Sequence, residues 1–210
     1  MRLVLDRASL LFDQHPQLTA EDLPARCEVR LRATMADDAG AVWASEATFL
    51  SDEAGRVDLD RDPPLGGTYF GLSPRGLLWS MARPDDSKLA FSRSALEPLT
   101  THFELSIEGE TVARAALERK LLAEGVHRRE SAHGVVYEPA MSRAAVVLVG
   151  SGLEGFLEDG AALLASHGYT TLMVARQPEL EKVLAALDWA QQQKVFLVGS
   201  GRGAEQALLA

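Results

Sequence analysis

The residues best placed to do chemistry lie in Val195-Phe-Leu-Val-Gly-Ser-Gly-Arg-Gly-Ala-Glu-Gln206. The apolar run predicts a strand, the glycines a tight turn, and the residues after them a helix start. Gly199 and Gly203 frame Ser200, Gly201 and Arg202, and Ser200 is the one residue of the three with a hydroxyl that could attack a carbonyl. A second glycine-rich loop, Gly150-Ser-Gly-Leu-Glu-Gly155, follows an apolar run and precedes a helical pattern. It matches G-x-G-x-x-G, the spacing that lets backbone approach a pyrophosphate. A dinucleotide site also needs an acidic residue near the end of the next strand. Arg176 stands there instead, a side chain suited to a 2′-phosphate. The loop therefore reads either as a plain strand-to-helix turn or as an NADP-type nucleotide module at Gly150–Gly155.

The five histidines show no metal-ligand spacing, and no cofactor or metal is expected. His102, His127 and His133 read as structural or solvated residues. His167 precedes Gly168 at a predicted helix C-terminus, where a partial positive charge is favourable. The lone Cys27 excludes an internal disulfide framework and points to a reducing, cytoplasmic location. A net charge of −9 argues against nucleic acid and against anionic membrane surfaces. A polyanionic ligand would have to meet a local basic patch. Asp6 and Arg7 interrupt the N-terminal apolar run, so it does not read as a signal peptide. No apolar stretch reaches the roughly 18 residues of a membrane span, and the C-terminal Leu-Leu-Ala is not a peroxisomal address.

With 210 residues, 47% of them apolar, the chain can build one or two packed domains. Its pattern changes near residue 125. Before it, Cys27–Met35, Trp43–Phe49 and His102–Ile107 alternate with period two. Turn signals at Asp37-Asp-Ala-Gly, Asp52-Glu-Ala-Gly, Pro63-Pro-Leu-Gly-Gly and Pro84-Asp-Asp-Ser separate them. Short strands at this spacing predict an antiparallel β-sandwich over 1–124, with Trp43 and Trp79 in the core or between sheets. After it, strands at 134–139, 144–149, 170–174 and 194–198 alternate with helices at 156–167 and 178–192. That order predicts a parallel sheet with helical crossovers over 125–210. The continuous apolar run 144–149 fits a strand buried on both faces.

Val57-Asp-Leu-Asp, followed by Leu65-Gly-Gly-Thr-Tyr-Phe-Gly-Leu-Ser-Pro-Arg-Gly-Leu-Leu-Trp79, resembles the N-terminal domain of the acyl-CoA thioesterase and bile acid-CoA:amino acid N-acyltransferase family. Gly125-Val-His-Arg-Arg-Glu130 looks like that family's junction between two domains. Gly155-Phe-Leu-Glu with Ala162–Tyr169 resembles the first helix of its hydrolase domain, and 195–206 resembles its nucleophile elbow. The resemblance implies an immunoglobulin-like β-sandwich followed by a truncated α/β-hydrolase domain. It implies acyl-CoA as substrate or ligand. The implied reaction is hydrolysis to free acid and coenzyme A in lipid metabolism, or acyl transfer to an amino acid.

In the family a Ser or Cys occupies the slot where this chain has Gly201, and an acid and a base follow further along. This sequence stops before the strands that would carry them, so the machinery reads as incomplete. Ser200 lies one residue early, and around a tight turn that offset points its side chain elsewhere. The oxyanion-type loop implied by the resemblance is Gly150, Ser151 and Gly152, with the N–H of Arg202. Two rivals stand beside the thioesterase reading: a non-catalytic acyl- or protein-binding relative, and the nucleotide module. The strand at 195–198 is expected to be an apolar sheet edge that takes a homodimer or partner protein.

Overall fold

The structure is a computed structural model that describes residues 1–85, 90–93, 96–150, 154–174, 180–190 and 194–210. Its contacts divide into two compact units, Met1–Lys120 and Leu121–Ala210.

The first unit contains β1 (Arg2–Leu5), β2 (Ser9–Leu11), β3 (Leu18–Glu21), β4 (Glu28–Ala36) and β5 (Val42–Leu50). It continues with β6 (Val57–Asp58), β7 (Gly66–Gly67), α1 (Gly76–Trp79), β8 (Leu99–Ile107) and β9 (Glu110–Lys120). One sheet runs β2-β9-β8-β4-β5-β7, the other β1-β3-β6. Period-two patterning explains the layering. Val29, Leu31 and Ala33 of β4, Phe49 of β5 and Leu105 of β8 share one core with Leu18 and Ala20 of β3 and Val57 of β6. Each sheet so hides its apolar face on the other, and the area removed from water stabilises both.

The sandwich is not wholly antiparallel, because β2 lies parallel to β9, with Ser9 opposite Glu118. Parallel neighbours need a long connection, and most of the unit intervenes between these strands. Trp79 is not a core residue but 63% exposed, because the single turn α1 carries it outward. Trp43 is half-buried, its ring 5.5 Å from that of Phe91.

The Leu65–Trp79 motif has a steric basis. Tyr69 is buried with its ring on Gly76, where a Cβ would come within 2.2 Å of ring carbons. Ser45 Oγ donates to the Leu77 carbonyl, and Trp79 Nε1 donates to Ser73 Oγ at 3.0 Å. At the β4–β5 turn, Asp37 Oδ1 accepts the N–H groups of Ala39 (3.0 Å) and Ala41 (2.9 Å). Its Oδ2 accepts Trp43 Nε1 (3.1 Å) and the Ser92 N–H (3.2 Å). Burial pushes the Asp37 pKa up, but these four donors outweigh it and hold the carboxyl below its ordinary range.

The second unit contains β10 (His127–Ser131), β11 (Gly134–Glu138), β12 (Ala145–Gly150), α2 (Glu154–Ser166), β13 (Thr170–Val174), α3 (Leu180–Ala190), β14 (Val195–Ser200) and α4 (Arg202–Leu209). The sheet order is β10-β11-β13-β12-β14. β12 pairs in parallel with both β13 and β14, Val147 facing Leu172 on one side and Leu197 on the other. All six of its residues are buried, which accounts for its uninterrupted apolar run. Val147, Val149, Leu172 and Val174 pack with Val183 and Ala186 of α3.

The sheet is mixed rather than parallel throughout. β11 runs antiparallel to β13, and β10 antiparallel to β11. The segment Gly125–Glu130, expected as a domain junction, therefore supplies most of strand β10. Tyr137, fully buried on β11, donates to Glu158 Oε1 of α2 at 2.6 Å. Arg128 Nε of β10 reaches both the Tyr137 hydroxyl (3.3 Å) and that carboxylate (3.1 Å). This polar tie fixes the hairpin to α2. Burial first, and then Glu158, raise the Tyr137 pKa, so the hydroxyl stays protonated as the donor.

Two predictions follow from the packing. The folded pKa of Asp37 lies below its unfolded value of about 3.9. Its stabilising contribution is therefore complete above that value and is lost as pH falls through the folded pKa. The first unit of Asp37→Asn should melt at a lower temperature than the parent at pH 6, and the difference should shrink by pH 3. Thermal unfolding followed by circular dichroism at both pH values checks this, and a constant difference would refute it. The second concerns two glycines. A methyl at Gly203 would sit 2.3 Å from the Val149 carbonyl oxygen, whereas one at Gly160 in α2 meets open space. Urea unfolding should show Gly203→Ala destabilised by about 1–3 kcal/mol and Gly160→Ala stabilised by about 0.5–1 kcal/mol.

Candidate functional site

The parallel register sets Gly150, the last residue of β12, opposite Ser200, the last of β14. The chain then turns at Gly201, with φ 58° and ψ −130°, directly into α4. L side chains reach this backbone region only under strain, whereas glycine enters it freely. Gly199 and Gly203 are required for a different reason. A Cβ on Gly199 would lie 2.5 Å from Ala204 Cα, and one on Gly203 would lie 2.8 Å from the Gly150 nitrogen. Without both, α4 could not close onto the ends of β12 and β14. The result is a sharp strand-to-helix turn with residue 201 exposed at its apex and Gly203 buried beneath it.

The apex carries no side-chain nucleophile. Ser200 is half-buried, and its hydroxyl makes no hydrogen bond among the described residues. Among the described residues no base is hydrogen-bonded to it to take its proton, as nucleophilic attack requires. The Arg202 side chain is exposed, and its backbone N–H belongs to the first turn of α4, beyond the reach of that helix's own carbonyls. Gly150 is buried, and a Cβ there would meet Leu157 Cδ1 at 2.0 Å. Ser151, Gly152 and Arg176 lie outside the described residues. The structure thus gathers Gly150, Ser200 and Gly203 at the turn. His102 and His127 project from strands β8 and β10, His133 sits in the β10–β11 hairpin, and His167 follows α2.

One charged residue escaped sequence reading. Along β9, Ala113, Ala115 and Leu117 share a face with Arg119, and Arg119 is buried. The period-two pattern of Glu110–Lys120 places a cation on an apolar face, and that was the available signal.

Residues 13–133 match the sequence model of the family described as the acyl-CoA thioester hydrolase/BAAT N-terminal region. Over 180 residues the chain is 32% identical to acyl-coenzyme A thioesterase 1 of Rattus norvegicus, covering 78% of this chain and 42% of the relative. Acyl-coenzyme A thioesterase 2, mitochondrial, of Rattus norvegicus is 31% identical, with coverages of 78% and 39%. Peroxisomal succinyl-coenzyme A thioesterase of Mus musculus is 33% identical, with coverages of 78% and 42%. The chain thus spans about two fifths of the length of these curated relatives. The family match takes in more than half of the chain and includes the loop where Tyr69 rests on Gly76, so this protein belongs to the acyl-CoA thioester hydrolase/BAAT N-terminal family.

Proposed function

We propose that this protein binds acyl-CoA thioesters at the turn between β14 and α4 and hydrolyses them only slowly. The observation that carries the reading is Gly201 at the apex of an otherwise complete turn. We read the second unit as part of an α/β-hydrolase sheet, on the strength of its parallel β13-β12-β14 core with intervening helices. We read the first as an immunoglobulin-like sandwich, on its two sheets around one core.

In thioester hydrolysis, attack on the carbonyl carbon turns its oxygen into an oxyanion before the coenzyme A thiolate leaves. Backbone N–H groups preorganised around that oxygen stabilise the charge as it develops. The donors in this reading are the Arg202 N–H at the start of α4 and the loop after Gly150, through Ser151 and Gly152. Attack itself needs a nucleophile with its base. Gly201 offers none, which leaves water as the attacking group. An amino acid amine in place of water would make the same chemistry an acyl transfer. The reading requires no cofactor. It places the protein in the cytoplasm, where the unpaired Cys27 stays reduced.

Gly201 also favours the second reading, a relative that holds an acyl group or a protein partner without turnover. Coenzyme A release from an acyl-CoA panel separates the possibilities. We expect rates far below the ordinary range of about 1–1,000 per second, unchanged by Ser200→Ala, with acyl-CoA binding retained in calorimetry. Ordinary turnover abolished by Ser200→Ala would overturn the reading of the turn. Low turnover without acyl-CoA binding would favour a protein-binding role.

Among the described residues β14 pairs with β12 alone, and Phe196 and Val198 are 43% and 45% exposed. An apolar edge of this kind accepts a further strand. In our reading a second copy of this chain supplies it. Light scattering should find a dimer at high concentration, and Val198→Lys should shift it toward monomer. A parent chain that stays monomeric would overturn the assignment.

A further inference from the structure

Arg119 is 7% exposed, at the C-terminal end of β9. Its Nη2 donates to the Phe12 carbonyl at 3.0 Å, and its guanidinium carbon lies 3.6 Å from the centroid of the Phe12 ring. Its Nε is buried and has no acceptor among the described residues. No carboxylate pairs with Arg119 or Arg75 among the described residues. Burial first, and then the charges of Arg75 and Arg93, lower the Arg119 pKa to about 10. A buried cation without a counter-charge is costly, and other cations around it add to that cost.

The same arginine lines a cavity of about 520 Å³, within the range of small-molecule sites. Met35, Trp43, Leu78, Trp79 and Phe91 supply apolar and aromatic wall. Arg75 adds an exposed cation at the cavity, its Nη1 donating to the Asp13 carbonyl at 3.2 Å. All of these residues belong to the first unit. We infer that this cavity binds an organic anion with an apolar body, the aromatic wall taking the body and Arg119 with Arg75 taking a carboxylate or phosphate head. Guanidinium groups suit either head, because their planar fork matches two oxygens at once. The anion supplies the counter-charge that Arg119 lacks among the described residues, and the aromatic wall removes its apolar body from water. Thioester chemistry at Gly201 plays no part in this inference.

Trp43 and Trp79 make the site observable by fluorescence. The full chain is titrated with decanoate, decyl phosphate and decanol, each below its micelle-forming concentration, with calorimetry for stoichiometry. We expect saturable binding of one anion per chain, with decanol weaker by roughly tenfold or more. Whichever of decanoate and decyl phosphate binds more tightly identifies the head group. Arg119→Met should abolish the preference for the anions over decanol. Arg75 is exposed, so Arg75→Gln keeps the fold. It should weaken the anions about two- to fivefold while leaving decanol unchanged. Decanol binding as tightly as the anions, or no saturable binding of either anion, overturns the proposal. So does an Arg75→Gln chain whose anion affinities equal those of the parent.

Discussion

At Gly203, α4 comes so near the end of β12 that the place of a methyl group is taken by the Val149 carbonyl oxygen. This approach governs the geometry of the second unit's turn. The helix can close onto two parallel strands only if residue 203 has no side chain, and Gly199 meets the same demand on the incoming strand. Once both contacts are made, the peptide between Ser200 and Arg202 has few ways to connect them. Residue 201 is left at φ 58° and ψ −130°. A reactive residue held there would carry backbone strain. Glycine carries none, so the turn keeps its shape without the atom that the strain would serve to present.

The two units answer the problem of burial differently. In the first, each strand has one wet face, so charged residues such as Arg30 and Arg32 alternate with Val29, Leu31 and Ala33. In the second, β12 lies between β13 and β14 and is buried along its whole length, so no polar residue interrupts it. The hairpin β10–β11 extends that sheet with a strand exposed at four of its five positions. Such a strand has no apolar face to hold it. It depends on backbone pairing and on the Arg128–Tyr137–Glu158 tie.

These contrasts explain what was legible in the sequence. β4, β5 and β8 show in their alternation, and β12 in its unbroken apolar run. β10 did not show, because His127-Arg-Arg-Glu has no apolar period and took the look of a linker. The parallel partnership of β2 with β9 was hidden because it joins segments from opposite ends of the unit. Trp79 was misplaced because size and aromaticity suggest a core, whereas one turn of helix turns it outward. Gly199, Gly201 and Gly203 were readable as a site because a local turn specifies itself within a few residues. The cavity beside Arg119 was not. Phe12, Met35, Arg75, Phe91 and Arg119 come together only through tertiary packing.

Two arginines show how the same residue type can serve scaffold or site. Arg128 faces a carboxylate and a hydroxyl, and each member of that group has a partner within the second unit. The neighbouring acceptors raise its pKa, as expected where the charged form is stabilised by the fold itself. Among the described residues Arg119 meets one carbonyl and an aromatic face, and burial first, then the charges of Arg75 and Arg93, lower its pKa. A group already matched by its own chain gains little from a ligand. One that is buried, charged and half-satisfied gains both a hydrogen bond and a counter-charge when an anion arrives. In a chain of net charge −9, long-range attraction cannot bring that anion in. Selectivity at the cavity must therefore come from short-range contacts, and the apolar wall that accompanies Arg119 and Arg75 supplies them.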